Sequence, residues 1–91
     1  MNINVLLSDG YSVTKTFYDS VRQQVEDALP ALERDVRYTL EMLCDKEFWR
    51  RLSDGDRRTA GRCMSDMVEK KLLPLRVAKT KHEYPKYYEL E

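Results

Sequence analysis

The stretch "RTAGRCMSDMVEKKLLPLRVA" constrains the fold more than any other part of this chain. Ala60, Cys63, Met64, Met67 and Val68 recur at spacings of three, one, three and one, which puts all five on one face of a helix. Ser53 with Asp56 three residues later is a helix-start signal, and Gly55 loosens the corner. Pro74 cannot continue a helix, and Leu75-Arg76-Val77 alternates like a strand. The pattern predicts a helix over 54–72 that runs straight into a strand.

A helix with one apolar face needs the rest of the chain to cover it. "INVLL" and "SVTKTF" are rich in β-branched residues and flank "SDGY", where Asp9-Gly10 favours a tight turn. A hairpin is expected there, or else a single strand leading into a helix. Thr16 with Asp19 marks a helix start, and Phe17, Val21, Val25 and Ala28 share one face. Pro30 ends that helix and suits the first turn of another. In that next helix Leu32, Val36, Leu40 and Leu43 form one stripe, with Cys44 beside it. Ala31, Tyr38 and Met42 fall on nearly the opposite side. A helix apolar on two sides is sandwiched inside a fold, or keeps its second stripe for a partner or a second copy. "DKEFWRRLS" reads as a short helix capped by Asp45, with Phe48, Trp49 and Leu52 apolar. Trp49, Met42, Met64 and Met67 read as core. "KTKHEYPK" is a polar loop, and "YYELE" returns as a strand with Tyr88 and Leu90 on one side.

Ninety-one residues make one domain with one modest core. Charged residues reach 35%, above the roughly 25% of an average domain, so the surface is densely charged. No apolar run approaches the roughly 18 residues of a membrane span, and "MNINVLLSDG" lacks the basic lead of a secretory signal. Cys44 and Cys63 stand alone, so neither a disulfide framework nor a zinc site is expected, and a reducing cytoplasm is. His82 is the single histidine, too few for a histidine metal site. No thiol has a base partner in sequence reach, "SDGD" lacks the closing acid of a calcium loop, and no glycine-rich phosphate loop follows a strand. The reading is therefore of a chain with no enzyme activity, cofactor, metal or membrane partner. Charge is uneven: residues 1–45 carry four basic against eight acidic residues, and residues 46–91 carry twelve against eight. This asymmetry points to an acidic partner, nucleic acid included, or to two halves that attract each other.

From residue 31 the expected order is helix, short helix, tight corner, longer helix, strand, basic loop, strand. With "RTAGRCMSDMVEKKLLPLRVA" and the returning "YPKYYEL", this layout resembles the winged helix-turn-helix superfamily. The resemblance implies an α+β, mostly helical fold with a C-terminal hairpin as the wing. Residues 1–91 are then one domain, with 1–29 an N-terminal hairpin and helix extension and 30–91 the winged-helix core. It also implies that the longer helix enters the DNA major groove while the hairpin loop touches the backbone.

On the helix 57–71, Arg58, Arg62, Ser65 and Glu69 face away from the apolar stripe, flanked by Thr59 and Asp66. Gly61 costs a helix about 1 kcal/mol relative to alanine, so another backbone is expected to approach it closely. Arginines in the first turn oppose the helix dipole. They make sense if Arg58 and Arg62 face an anion. They also fit a solvated face, with Arg62 paired to Asp66 or Glu69 and Asp54 and Asp56 offsetting the charge. Under the first view Arg57, Arg58, Thr59 and Arg62 lie nearest double-stranded DNA, with Ser65 on the same face. Arg76, Lys79, Lys81, His82 and Lys86 surround the loop with Tyr84 and Tyr87 nearby, cations interleaved with aromatics that suit a nucleic-acid backbone, and Lys79, Lys81 and Lys86 would contact phosphates. The expected protein is a small cytoplasmic DNA-binding transcriptional regulator, dimerising through the hairpin and helix 17–29. The alternative is a winged-helix protein-interaction module, an adaptor or inhibitor that meets an acidic protein surface. The zero net charge and the acids Asp66 and Glu69 favour that alternative.

Overall fold

Asp9-Gly10 turns the chain as its residues predict. In the computed structural model, which describes residues 3–81 and 84–91, β1 (Asn4–Leu6) and β2 (Ser12–Thr14) form an antiparallel hairpin with Val5 opposite Val13. Gly10 sits at φ +87°, a conformation glycine adopts freely. Leu7 and Val13 reach the core. The helix α1 (Lys15–Ala28) follows at once. Its cap is Thr14, whose hydroxyl accepts from the Phe17 amide, two residues before the Thr16 that the sequence suggested. Val21 and Val25 are fully buried and Tyr18 nearly so, while Phe17 and Ala28 are half-buried.

The largest departure from the sequence reading follows α1. The helix expected from Pro30 to Cys44 is not there. Leu29–Ala31 make one 3₁₀ turn with Pro30 near its start, and the chain then runs extended or turned until Thr39. Two causes are visible. Asp35 adopts φ +65°, the left-handed region that aspartate tolerates better than most residues and no helix interior contains. Tyr38 exchanges two backbone hydrogen bonds with Tyr88, at 2.8 and 2.7 Å, and its hydroxyl accepts from the Glu33 amide. Tertiary pairing here overrides a weak helical preference. The double stripe of Leu32, Val36, Ala31 and Tyr38 is thus a loop edge, and Met42 is exposed.

Thr39 accepts from the Met42 amide and starts α2 (Leu40–Leu43). Asp45 caps α3 (Lys46–Arg51), accepting from the Glu47 and Phe48 amides, and its own amide donates to Gln24 on α1. Ser53 caps α4 (Asp54–Glu69) by accepting from Asp56. Asp54 and Asp56 stand in the first turn, where acids suit the dipole. Ala60, Cys63, Met64 and Met67 have no exposed surface, as the periodicity requires. The helix stops at Glu69, not at 72, because Lys71 turns left-handed at φ +59°. The Leu72 amide then reaches back to the Met67 carbonyl and the Lys71 amide to Val68, the pairing of a Schellman end.

β3 (Leu75–Val77) and β4 (Tyr88–Leu90) pair antiparallel, with Arg76 opposite Glu89. Tyr38 adds a one-residue bridge on the other side of β4. The core lies between α1 and α4 and is closed by α2, both hairpins and the two cysteines. Burial alone pushes the Cys44 thiol up to about 12, and burial with the nearby Asp66 charge pushes Cys63 up to about 11, so both act as small apolar groups. The N-terminal segment is not peripheral: Leu7, Val13, Tyr18, Val21 and Val25 pack in the same core as α4. Among the described residues no helix is long and apolar enough to cross a membrane.

Candidate nucleic-acid interface

The outward face of α4 opens into a groove lined by Arg58, Gly61, Arg62, Ser65 and Glu69. One wall is Thr39, Leu40 and Glu41 at the start of α2, with Trp49 of α3. The other is Tyr84, Pro85 and Lys86 of the loop before β4. Asp9, from the tip of the first hairpin, stands at the groove as well. Of the residues expected from sequence, Arg57, Arg58, Arg62, Ser65 and Lys86 line this one groove, whereas Thr59, Arg76, Lys79 and Lys81 do not.

The five have different tasks. Arg58 is exposed and has no hydrogen-bond or ion-pair partner among the described residues. Arg57 is half-buried. Its guanidinium donates twice to the Trp49 carbonyl, at 3.3 and 3.2 Å, and lies 5.5 Å from the indole centroid. It ties α3 to α4, and its remaining nitrogen lies 4.0 Å from the Asp54 carboxylate. The Trp49 indole Nε1 is buried with no partner among the described residues, a cost of about 1–3 kcal/mol. Arg62 does not pair along its own helix. It crosses to the hairpin, donating to Asp9 at 2.7 Å and lying 4.7 Å from the Tyr11 ring centroid. Lys86 donates to the Ser65 hydroxyl at 3.1 Å, which fixes the loop against α4.

Outside the groove, the Thr59 hydroxyl donates back to the Gly55 carbonyl. Arg76 pairs with Glu89 across the hairpin at 3.0 Å, so its charge is already answered. Lys79 and Lys81 are exposed. His82 lies outside the described residues. Gly61 does not receive a neighbouring backbone: a Cβ placed there meets nothing within 4 Å.

Asp66 is the main correction on this helix. The helical wheel put it on the exposed flank, yet it is 2% exposed. Ser8 donates to it through both amide and hydroxyl at 2.8 Å, Tyr18 through its hydroxyl at 2.6 Å, and Lys70 at 3.1 Å. Every partner is a donor, which an ionised carboxylate alone can satisfy. Burial pushes its pKa up, but the bonds from Tyr18, Ser8 and Lys70 outweigh that and hold it below the usual carboxylate range. Burial, with the Asp66 bond and charge, raises the Tyr18 phenol well above its ordinary value.

Sequence reasoning missed Asp9 and Tyr11 as partners of Arg62, and Glu41 as part of a groove wall. Asp9-Gly10 carried a signal, but only for a turn. Among the described residues no group of three or more His, Cys, Asp or Glu side chains is arranged to hold a metal ion.

A protein-family model described as "Domain of unknown function (DUF1413)" matches residues 23–89. The match begins inside α1, takes in the groove helix and the second hairpin, and leaves the first hairpin outside. Neither the curated proteins nor the solved structures contain a match. The chain belongs to the DUF1413 family.

Proposed function

We propose that this DUF1413 domain is a small winged-helix protein that binds double-stranded DNA, with α4 as the reading helix and the second hairpin as the wing. The carrying observation is Arg58, exposed and unpaired among the described residues, on the outward face of α4. Beside it the Lys86 loop is tethered to the same helix through Ser65. The connectivity supports the reading in a form the sequence did not suggest. The first helix of the motif is α1, Tyr38 is a vestigial strand against β4, and α3 and α4 form the helix pair joined at a tight corner. One objection also falls away. Asp66, which would repel phosphates from an exposed position, is turned inward and bonded to Lys70. A regulator acting in a reducing cytoplasm goes with two free, buried thiols.

Fluorescence anisotropy with a random duplex tests this from low to moderate salt. Binding is expected to weaken with salt at a slope of about −0.9 per phosphate contacted. Arg58→Ala should weaken binding roughly fivefold and flatten the slope by about one contact. No binding even at the lowest salt overturns the reading. A protein-interaction module is the second reading. Its support is the 77% exposed Tyr84 at the groove wall and the carboxylates of Glu41 and Glu69 within the groove, and it predicts no anisotropy change with duplex DNA.

A further inference from the structure

We propose that Asp9 is a built-in competitor for the anion site: its carboxylate occupies Arg62, and a nucleic-acid phosphate must displace it before Arg62 joins the interface. This rests on the nucleic-acid reading above and names a residue that sets its strength. The geometry is specific. Asp9 accepts from Arg62 with one carboxylate oxygen at 2.7 Å and from the Tyr11 amide with the other at 2.9 Å. The turn therefore aims the carboxylate, and the Tyr11 ring backs the guanidinium at 4.7 Å.

The tip cannot drift from the helix, because Ser8, its neighbour, is bonded twice to buried Asp66. The Tyr11 amide bond, with the Arg62 contact, keeps the Asp9 carboxyl below its usual pKa despite some desolvation, so it stays charged at neutral pH. A carboxylate and a phosphate make the same charge-assisted bonds to a guanidinium. Both partners of the Asp9–Arg62 pair are about half exposed, and pairs so placed are weak enough to exchange for another anion. The hairpin carrying Asp9 also lies outside the residues that match the family, whereas Arg62 lies within them.

Asp9→Asn is the test, because the amide oxygen still accepts from Tyr11 while the charge and the acceptor facing Arg62 are lost. With a random duplex at low salt, Asp9→Asn is expected to bind about fivefold more tightly than the unmodified chain, the scale of one exposed ion pair. The salt slope should steepen by up to about one contact. Asp27→Asn on α1, which removes the same charge away from the groove, should leave affinity near its starting value. Adding Arg62→Ala to Asp9→Asn should abolish the gain. Equal affinity of Asp9→Asn and the unmodified chain overturns the proposal and leaves the nucleic-acid reading in place. The same holds if Asp27→Asn gives an equal gain, or if the gain survives Arg62→Ala. Absence of binding by both the unmodified chain and Asp9→Asn overturns the nucleic-acid reading and the competitor together.

Discussion

Asp66 shows how one side chain can be required by its neighbours' chemistry more than by its own position. Four donated bonds converge on two oxygens, and an amide there would turn an NH₂ toward a donor. Asp66→Asn is expected to cost about 2–4 kcal/mol at neutral pH, as for a buried acceptor lost beside a charge. The midpoint of urea unfolding reads that cost. The pH dependence has a fixed sign. A carboxyl with a lowered folded-state pKa adds stability above its unfolded value of about 4, and that stability disappears as pH falls through the folded value. In Asp66→Asn this acid-side loss should be absent, so the two stability curves converge toward low pH. None of this was legible in sequence. Asp66 sits at the border of the helical wheel, and its partners come from positions 8 and 18. Arg57 was partly legible, since its wheel angle leans toward the buried side, but its bond to the Trp49 carbonyl was not.

At the scale of elements, α4 was legible because its signals agree: a Ser53 cap, a strict apolar face and a proline beyond its end. Its last turn was misjudged because Lys71, not glycine, takes the left-handed position. The segment 31–39 was misread for the opposite reason. Apolar residues at near-helical spacing can equally line a loop that pairs elsewhere, and Tyr88 lies far along the chain. Within α4, Gly61 is the weak link. Nothing lies near a Cβ placed there, so Gly61→Ala is expected to raise stability by about 0.5–1 kcal/mol, seen as a higher melting temperature. Since Gly61 lines the groove, the same substitution should weaken duplex binding in the anisotropy assay if an occupant approaches that backbone. Unchanged binding would place the occupant nearer Arg58.

On the scale of the whole molecule, the uneven charge of the two halves has a partial structural answer. Asp9 of the acidic half meets Arg62 of the basic half, and Ser8 and Tyr18 of the first half surround Asp66 of the second. Exposed cations without a partner among the described residues stand in both halves, Arg34 and Arg37 in the first and Arg58, Lys79 and Lys81 in the second. Among the described residues Asp9–Arg62 is the one ion pair that joins the halves, so the charge asymmetry is answered across them at a single point. The Tyr38–Tyr88 bridge carries one more consequence. It joins the middle of the chain to its end, and the Ser8–Asp66 bonds join the beginning to the last helix. Contacts between such distant positions form only after long loops have closed, and rates fall as they accumulate. Although most of its regular structure is helical, this chain should refold more slowly than a helical bundle of equal length. Stopped-flow fluorescence of Trp49 would time the event, and a bundle-like rate would mean that these distant contacts form only after the rate-limiting step.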